Sequence, residues 1–446
     1  MIRQLALAAS AVLLLATSTG AQESSRNEAP DWQKALRLRG RFKEEFAYRL
    51  PDPSGVSKLK TVGWLESKYD FSESVNLRLQ GRAWWDGAFE VTDRYPREVE
   101  RDQQTDLSLR QALLSISAGP FDVRLGRQQI VWGEAISTFV TDVVNPKDFR
   151  EFVLPEFSEI RIPLWALDAS YTFGKNLVVE AVWTPDLRFS KIPKPGAEFE
   201  FFRQPSPPNS IVILEEEQKP SVTLGNSQGG GRISYLISGW DLSLLYYDGF
   251  DPTIVLFRRQ TGSLPNGTPI FALTPSHPRL HMIGGTVGKS IEPVVIRGEV
   301  LYTIGKLYGT SSLADTDGVV RRDTLDYLLS LDYTFFEKLE TTWQFTQKIL
   351  MGSPDGIERG AVEGRVTSAL ALRISTGFLD DTLNPSALFV VNVNRGDYRI
   401  SPKLEYLLAE AVTITFGADF FGGPQETLYG QFNKKDRVYT EITYRF

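Results

Sequence analysis

Leu36-Arg-Leu-Arg-Gly-Arg-Phe-Lys-Glu-Glu-Phe-Ala-Tyr-Arg-Leu50 carries two interleaved sets of side chains. Leu36, Leu38, Gly40, Phe42, Phe46, Tyr48 and Leu50 share one parity, and Arg37, Arg39, Arg41, Lys43 and Arg49 the other. Side chains alternate across a strand but recur every 3.6 residues around a helix, so the two sets separate only when the chain is extended. The alternation returns in Val75, Leu77, Leu79, Ala83, Trp85 and Phe89 against Asn76, Arg78, Gln80, Arg82, Asp86 and Glu90. It returns again in Leu325, Tyr327, Leu329, Leu331, Tyr333 and Phe335 against Asp326, Ser330, Asp332 and Thr334. Each segment reads as a strand with one apolar and one polar face.

These segments run to about ten residues or more, the length that crosses a bilayer at a tilt, whereas strands of soluble sheets average about five or six. Connections alternate in length. Asp70–Ser74, Gly119-Pro120, Gly174–Asn176, Gly239-Trp240 and Glu337-Lys338 are tight, while Val91–Gln104, Gly133–Arg161, Lys191–Ser227 and Asp251–Pro278 are long. Short periplasmic turns and long extracellular loops are the arrangement of an outer-membrane barrel. The expected fold is all-β: a transmembrane antiparallel up-and-down barrel of about 18 strands, with 16 as the alternative division of Gly360–Asn394. The expected strands are 36–50, 58–71, 73–90, 105–118, 121–132, 162–173, 177–190, 228–238, 240–250, 279–290, 292–305, 322–335, 338–351, 359–378, 385–394, 397–408, 411–421 and 437–446.

A barrel accounts for the composition. With 42% hydrophobic residues the chain is no greasier than a soluble protein, because only alternate wall residues meet lipid. Met1–Ala21, with Arg3, an apolar run from Leu5 to Ala16 and small residues before Gln22, reads as a secretory signal peptide. Residues 22–35 then form a periplasmic N-terminal segment and 36–446 one barrel domain. There is no Cys, hence neither disulfides nor thiolate metal sites. A net charge of −6 leaves no nucleic-acid footprint. The expected partners are outer-membrane lipid and lipopolysaccharide. The last strand, Val438 to Phe446, ends on an aromatic residue of the kind recognised by barrel-assembly machinery, and must close on the first strand to satisfy its backbone.

One region departs from simple alternation: Arg124-Leu-Gly-Arg-Gln-Gln-Ile-Val-Trp-Gly-Glu134, then Asp142-Val-Val-Asn-Pro-Lys-Asp148 with Arg150 and Glu151, then Arg161-Ile-Pro-Leu164. Over Arg124–Leu164 the chain resembles the proteobacterial outer-membrane barrels catalogued as domain of unknown function 1302, which share Gly-Arg-Gln, Trp-Gly-Glu, Asp-x-x-Asn-Pro-x-Asp and Arg-x-Pro. The resemblance implies a channel-like barrel discussed alongside efflux-type transporters and lipidic substrates. A looser similarity to alginate-export barrels lies in Leu-Gly-Arg-Gln.

Phe121, Val123 and Leu125 share the lipid-facing parity, and strict continuation puts Arg127 with them. A charge on the lipid face near the midplane costs about 2–4 kcal/mol, so a bulge near Gly126 is expected to turn Arg127 into the lumen. The following loop is expected to fold inward as a constriction or plug built from Arg127, Gln128, Trp132, Glu134, Asp142, Asn145, Asp148, Arg150, Glu151 and Arg161. Against it would stand a basic lumen wall of Arg37, Arg39, Arg41, Arg78, Arg82, Arg110 and Arg124, a selectivity device or simply ion pairs with carboxylates such as Glu45 and Asp86.

The expected function is a channel or transport barrel for small or amphiphilic and hydrophobic solutes, the apolar loop residues Phe199, Phe201, Phe202, Ile211, Ile213 and Leu214 offering a portal. The alternatives are an outer-membrane station of an export pathway with a periplasmic or inner-membrane partner, and a barrel hydrolase. The hydrolase needs a placed base, and His277 and His281 are the only histidines. No catalytic, cofactor-binding or metal-binding residue is expected. Gly229-Gly-Gly231 reads as turn chemistry, and Glu215-Glu-Glu217 as a solvated acidic patch.

Overall fold

The computed structural model describes residues 36–133, 135–201, 207, 209–310, 312–357 and 364–446. The expected signal peptide and the segment 22–35 lie outside the described residues. Eighteen strands form the barrel: β1 (Arg39–Arg49), β2 (Gly55–Asp70), β3 (Val75–Asp86), β4 (Thr105–Ala118), β5 (Phe121–Gln128), β6 (Leu164–Phe173), β7 (Leu177–Thr184), β9 (Gln228–Ile237), β10 (Trp240–Phe250), β13 (Arg279–Ile291), β14 (Val294–Gly309), β15 (Val319–Phe335), β16 (Leu339–Leu350), β17 (Val366–Ser375), β18 (Leu383–Asn392), β19 (Asp397–Ala409), β20 (Val412–Gly422) and β21 (Arg437–Arg445). Every one overlaps a segment marked by alternation. Three further strands, β8 (Ile211–Leu214), β11 (Val255–Ser263) and β12 (Pro269–Ser276), form a separate sheet on the long-loop side.

Each barrel strand pairs antiparallel with its neighbours, and β1 pairs with β21 from Arg41↔Arg445 to Arg49↔Arg437. Closure removes the free edges that hydrocarbon would leave unsatisfied. At the seam the Gly40 N–H donates to the Phe446 carbonyl at 2.8 Å, and the Phe446 N–H returns a bond to Gly40 at 3.0 Å. A Cβ on Gly40 would sit 2.0 Å from the Phe446 ring, so glycine leaves room for the terminal aromatic.

The outer surface carries the apolar parity: Phe46, Leu65, Leu244, Trp343 and Leu370 are all exposed there. Near the short turns the rings form a girdle, with Tyr69 against Phe71 at 4.9 Å, Phe121 against Tyr171 at 4.5 Å and Tyr333 against Phe335 at 4.3 Å. Amphipathic rings favour that depth of the bilayer. The lumenal parity is polar, and Glu45, Arg49, Lys58, Arg82 and Arg110 are buried in the interior.

The principal core of the molecule lies inside the barrel. The β5–β6 connection, residues 129–163, folds inward, and Ile130, Trp132, Val140 and Val144 pack against Val182 of β7, Tyr247 of β10, Met282 of β13, Leu301 of β14 and Leu328 of β15. At about 1.5–3 kcal/mol for each buried side chain, these four loop residues favour the inward position strongly. A second cluster joins Phe152 of this connection to Phe199, Phe421, Tyr429 and Phe432 at the long-loop end.

Candidate functional site

The inward segment is braced by its own motif residues. Asn145 is 1% exposed; its Oδ1 accepts from the Ile130 N–H at 2.7 Å and its Nδ2 donates to the Ile162 carbonyl at 2.9 Å. One amide thereby ties both legs of the loop together. Pro146 lends its carbonyl to Ile162 N–H at 2.8 Å. Asp142 is buried between Arg161 at 2.7 Å and Lys147 at 3.6 Å, and the Lys147 ammonium also donates to the Asp142 and Asn145 carbonyls at 2.6 and 2.7 Å. Burial pushes Lys147 below its ordinary range, with Asp142 offsetting only part of that effect. The Asp-x-x-Asn-Pro-x-Asp and Arg-x-Pro elements are therefore two halves of one fastening.

Charged side chains then join the segment to the wall. Arg150 grips Asp148 at 2.7 Å and Asp106 of β4 at 3.1 Å, its guanidinium 5.2 Å from the Trp84 ring. Burial would raise the Asp148 carboxyl, but the Arg150 bonds and charge hold it below the usual range. Glu151 bridges Lys58 and Lys60, neighbours on one face of β2. Burial opposes its charge, yet the two ammoniums outweigh burial and hold it well below an ordinary glutamate. Glu159 meets Arg41 of β1 at 2.7 Å, while Arg110 of β4 donates to the Ser158 and Arg161 carbonyls at 2.8 and 2.7 Å. Arg82 of β3 donates to the Glu159 carbonyl at 3.3 Å. On the far side, Trp132 Nε1 donates to Glu180 of β7 at 3.0 Å, Thr141 Oγ1 to Glu299 of β14 at 2.7 Å and Ser137 Oγ to Gln344 of β16 at 2.7 Å. Arg399 of β19 donates to the Val153 carbonyl at 2.9 Å. The segment thus spans the lumen from β1 to β14.

Between its charged face and the wall of β1–β3 and β17–β21 lies a cavity of about 560 Å³. Eleven Arg and Lys against eight Asp and Glu line it, a positive balance inside an acidic chain. Tyr429, packed with Phe152, Phe199 and Phe432 in the second cluster, also lines it.

Of the segment's expected residues, Asp148, Arg150 and Glu151 line this cavity. Asp142, Asn145 and Arg161 build the loop, Trp132 packs T-shaped on Tyr247 at 6.1 Å, and Gln128, 1% exposed, donates to the Ala166 carbonyl at 3.1 Å. Glu134 lies outside the described residues. Of the wall residues, Arg41 and Arg82 line the cavity and Arg110 holds the loop. Arg124 pairs with Asp168, and Arg78 stands 3.8 Å from Glu66. Arg39 is the first residue of β1 and is exposed. Arg37 precedes β1, with φ of +39°, and pairs with Asp70 at 3.1 Å beside a short turn. It belongs to the periplasmic rim and not to the wall.

The expected bulge at Gly126 is absent. β5 runs in unbroken register with β4 and β6, and Arg127 falls opposite Ala112 and the outward-facing Trp165. Arg127 is the penultimate residue of its strand and is buried, 7% exposed. Asp186 and Arg188 are the charges nearest in influence. Gly126 has a different duty: its φ is +130°, and a Cβ would lie 2.0 Å from the Ala112 carbonyl oxygen. The interruption occurs one strand earlier, where β3 and β4 shift register between Gln80 and Gly81, placing Arg110 as the extra residue.

Sequence reasoning missed Lys58, Lys60 and Glu159, although the lysines alternate with Leu59 in a legible strand. His277 Nδ1 lies 2.8 Å from the Asp251 carbonyl and Nε2 2.8 Å from Glu217, with its ring stacked on Phe189. His281 meets the Tyr246 hydroxyl at 2.9 Å. Neither lines the cavity. Among the described residues no cluster of three or more His, Cys, Asp or Glu could hold a metal ion.

Closed strand order, an apolar exterior and a lumen crossed by its own loop define an outer-membrane β-barrel. The chain belongs to the family described as "Protein of unknown function (DUF1302)", whose model matches residues 56–446. No curated protein matches it. Solved structures with the same fold include OccAB3 of Acinetobacter baumannii, at 9% identity and a TM-score of 0.50 over 92% of this chain and 98% of that one. OccK2 (OpdF) of Pseudomonas aeruginosa, in complex with glucuronate, is similar at 11% identity and a TM-score of 0.50, over 92% and 97% of the two chains. OpdL of Pseudomonas aeruginosa is similar at 10% identity and 0.50, over 92% and 98%.

Proposed function

We propose that this protein is an outer-membrane channel in which residues 129–163 set the constriction, and that small polar solutes move through the cavity between that segment and β1–β3 with β17–β21. The observation that carries this reading is the two-sided loop: an apolar face packed on one half of the lumen wall and a charged face lining the remaining space. That lining favours polar solutes over the hydrophobic or amphiphilic ones suggested by the loop composition. Phe199 and Phe201 pack into the second aromatic cluster, whereas Ile211, Ile213 and Leu214 lie exposed on the outer sheet; Phe202 lies outside the described residues. The bracing of the segment against both sides of the lumen favours a second reading, a conduit that stays shut until a periplasmic or inner-membrane partner acts on it.

Single-channel conductance of the refolded mature protein in a planar bilayer, compared with a deletion of Ala135–Glu159, tests the constriction. A large steady pore in the deletion against small or silent wild-type current supports it. Equal conductance would sink it and leave a general porin.

A further inference from the structure

The carboxylates lining the cavity are nearly all engaged. Glu151 holds Lys58 and Lys60, Glu159 holds Arg41, Asp419 holds Arg399 and Arg437, and Glu441 stands 3.4 Å from Lys43. Arg373 of β17 lines the same space, is exposed to it, and has no hydrogen-bond or ion-pair partner among the described residues. In the ladder Arg373 lies opposite Leu388, Leu388 opposite Ser401, and Ser386 opposite Lys403. All five line the cavity. Two strand spacings, about 10 Å, separate the Arg373 and Ser401 backbones, so the long cationic side chains of Arg373 and Lys403 can converge over Ser386. Lys403 pairs with Glu405 at 3.1 Å and stands 4.0 Å from Glu156, but both carboxylates are open to water, at 42% and 77% exposure, so a solute anion can compete for the ammonium.

Resting on the channel reading, we propose that Arg373, Lys403 and Ser386 form an oxyanion subsite in the cavity, and that the solutes are small organic anions bearing a carboxylate or a phosphate monoester. A planar guanidinium with free donors matches either group in bidentate fashion. The neighbouring Ser386 hydroxyl adds a neutral donor and acceptor suited to a hydroxylated solute.

The test is the reversal potential across a KCl gradient for wild type, Arg373→Gln and Arg373→Lys, with the Ala135–Glu159 deletion carried alongside. Gluconate, glucose 6-phosphate or glucose is then added to one chamber. Expected are anion selectivity in wild type and a chloride-to-potassium permeability ratio about threefold lower in Arg373→Gln, from one charge ~7 Å from the path acting with opposite sign on the two ions in a water-like dielectric screened by about 0.1 M salt. Arg373→Lys should retain the wild-type ratio. Gluconate or glucose 6-phosphate should interrupt the current and glucose should not, and whichever of the two does so names the oxyanion. Conduction with selectivity unchanged in Arg373→Gln and no interruption by either anion would overturn the subsite and leave the channel standing. Silence in both wild type and the deletion would overturn the channel reading and the subsite with it.

Discussion

Replacing Glu151 by Gln should release the inward segment from β2. Glu151 is the anion shared by Lys58 and Lys60, with side-chain exposures of 22%, 8% and 10%. Removing one partner from a buried ion pair costs about 3–5 kcal/mol. The lower end applies here, because Glu151 keeps some contact with water and Lys58 retains Glu45 at 3.1 Å. A loss of about 3 kcal/mol shifts a closed-to-open ratio roughly a hundredfold, at 1.36 kcal/mol per decade. The readout is the open fraction of single channels at neutral pH, and Lys60→Met, which leaves Glu151 with Lys58, should move it less. Acid provides the same perturbation without mutation. Because Glu151 titrates well below an ordinary glutamate when latched, its contribution is complete above the free-glutamate value of about 4.3 and declines only as pH falls below it. Wild-type gating should therefore be flat from about pH 7 to pH 5 and loosen below pH 4. An open fraction unchanged within about twofold in Glu151→Gln would refute the latch, since a hundredfold shift is expected.

Asn145→Ala should leave the Ile130 N–H and the Ile162 carbonyl without their partner, at about 1–3 kcal/mol for each stranded group; limited proteolysis of the folded barrel should then nick residues 129–163 first. Gly126→Ala meets both a positive φ and the Ala112 carbonyl, a strain of order 1–3 kcal/mol; the yield of heat-resistant folded barrel on cold SDS gels should fall.

The wall was legible in the sequence because period-two alternation is a local property, and each strand needs only its own residues to declare two faces. The outer sheet was not. Ile211–Leu214 is a four-residue apolar run without alternation, and Pro269–Ser276 begins with proline and carries another at Pro275, so both read as loop until long-range pairing makes them strands. The inward position of the β5–β6 connection was legible from its charges and motif, but what those motif residues do was not. Asn145 and Asp142 look like solvated loop residues; only the return of Ile162 and Arg161 beside them turns them into fasteners. Gly126 misled because a glycine beside a break in parity was read as a bulge, whereas the register shift falls between the neighbouring strands, at Gln80 and Gly81. Lys58, Lys60 and Arg373 stayed unmarked for a related reason: alternation says which way a side chain points, not which loop residue it meets.

The two faces of the inward segment divide the barrel into unequal halves. Strands β6, β7, β10 and β13 to β15 contribute inner-face residues to a packed core, and any change there must be answered by a change in the loop. The strands from β17 round to β3 line the open space, where only side-chain length and charge are constrained. Diversification among relatives should then be lopsided: solute preference can drift on one arc of the wall through single substitutions, while the opposite arc and the loop must change together or stay as they are.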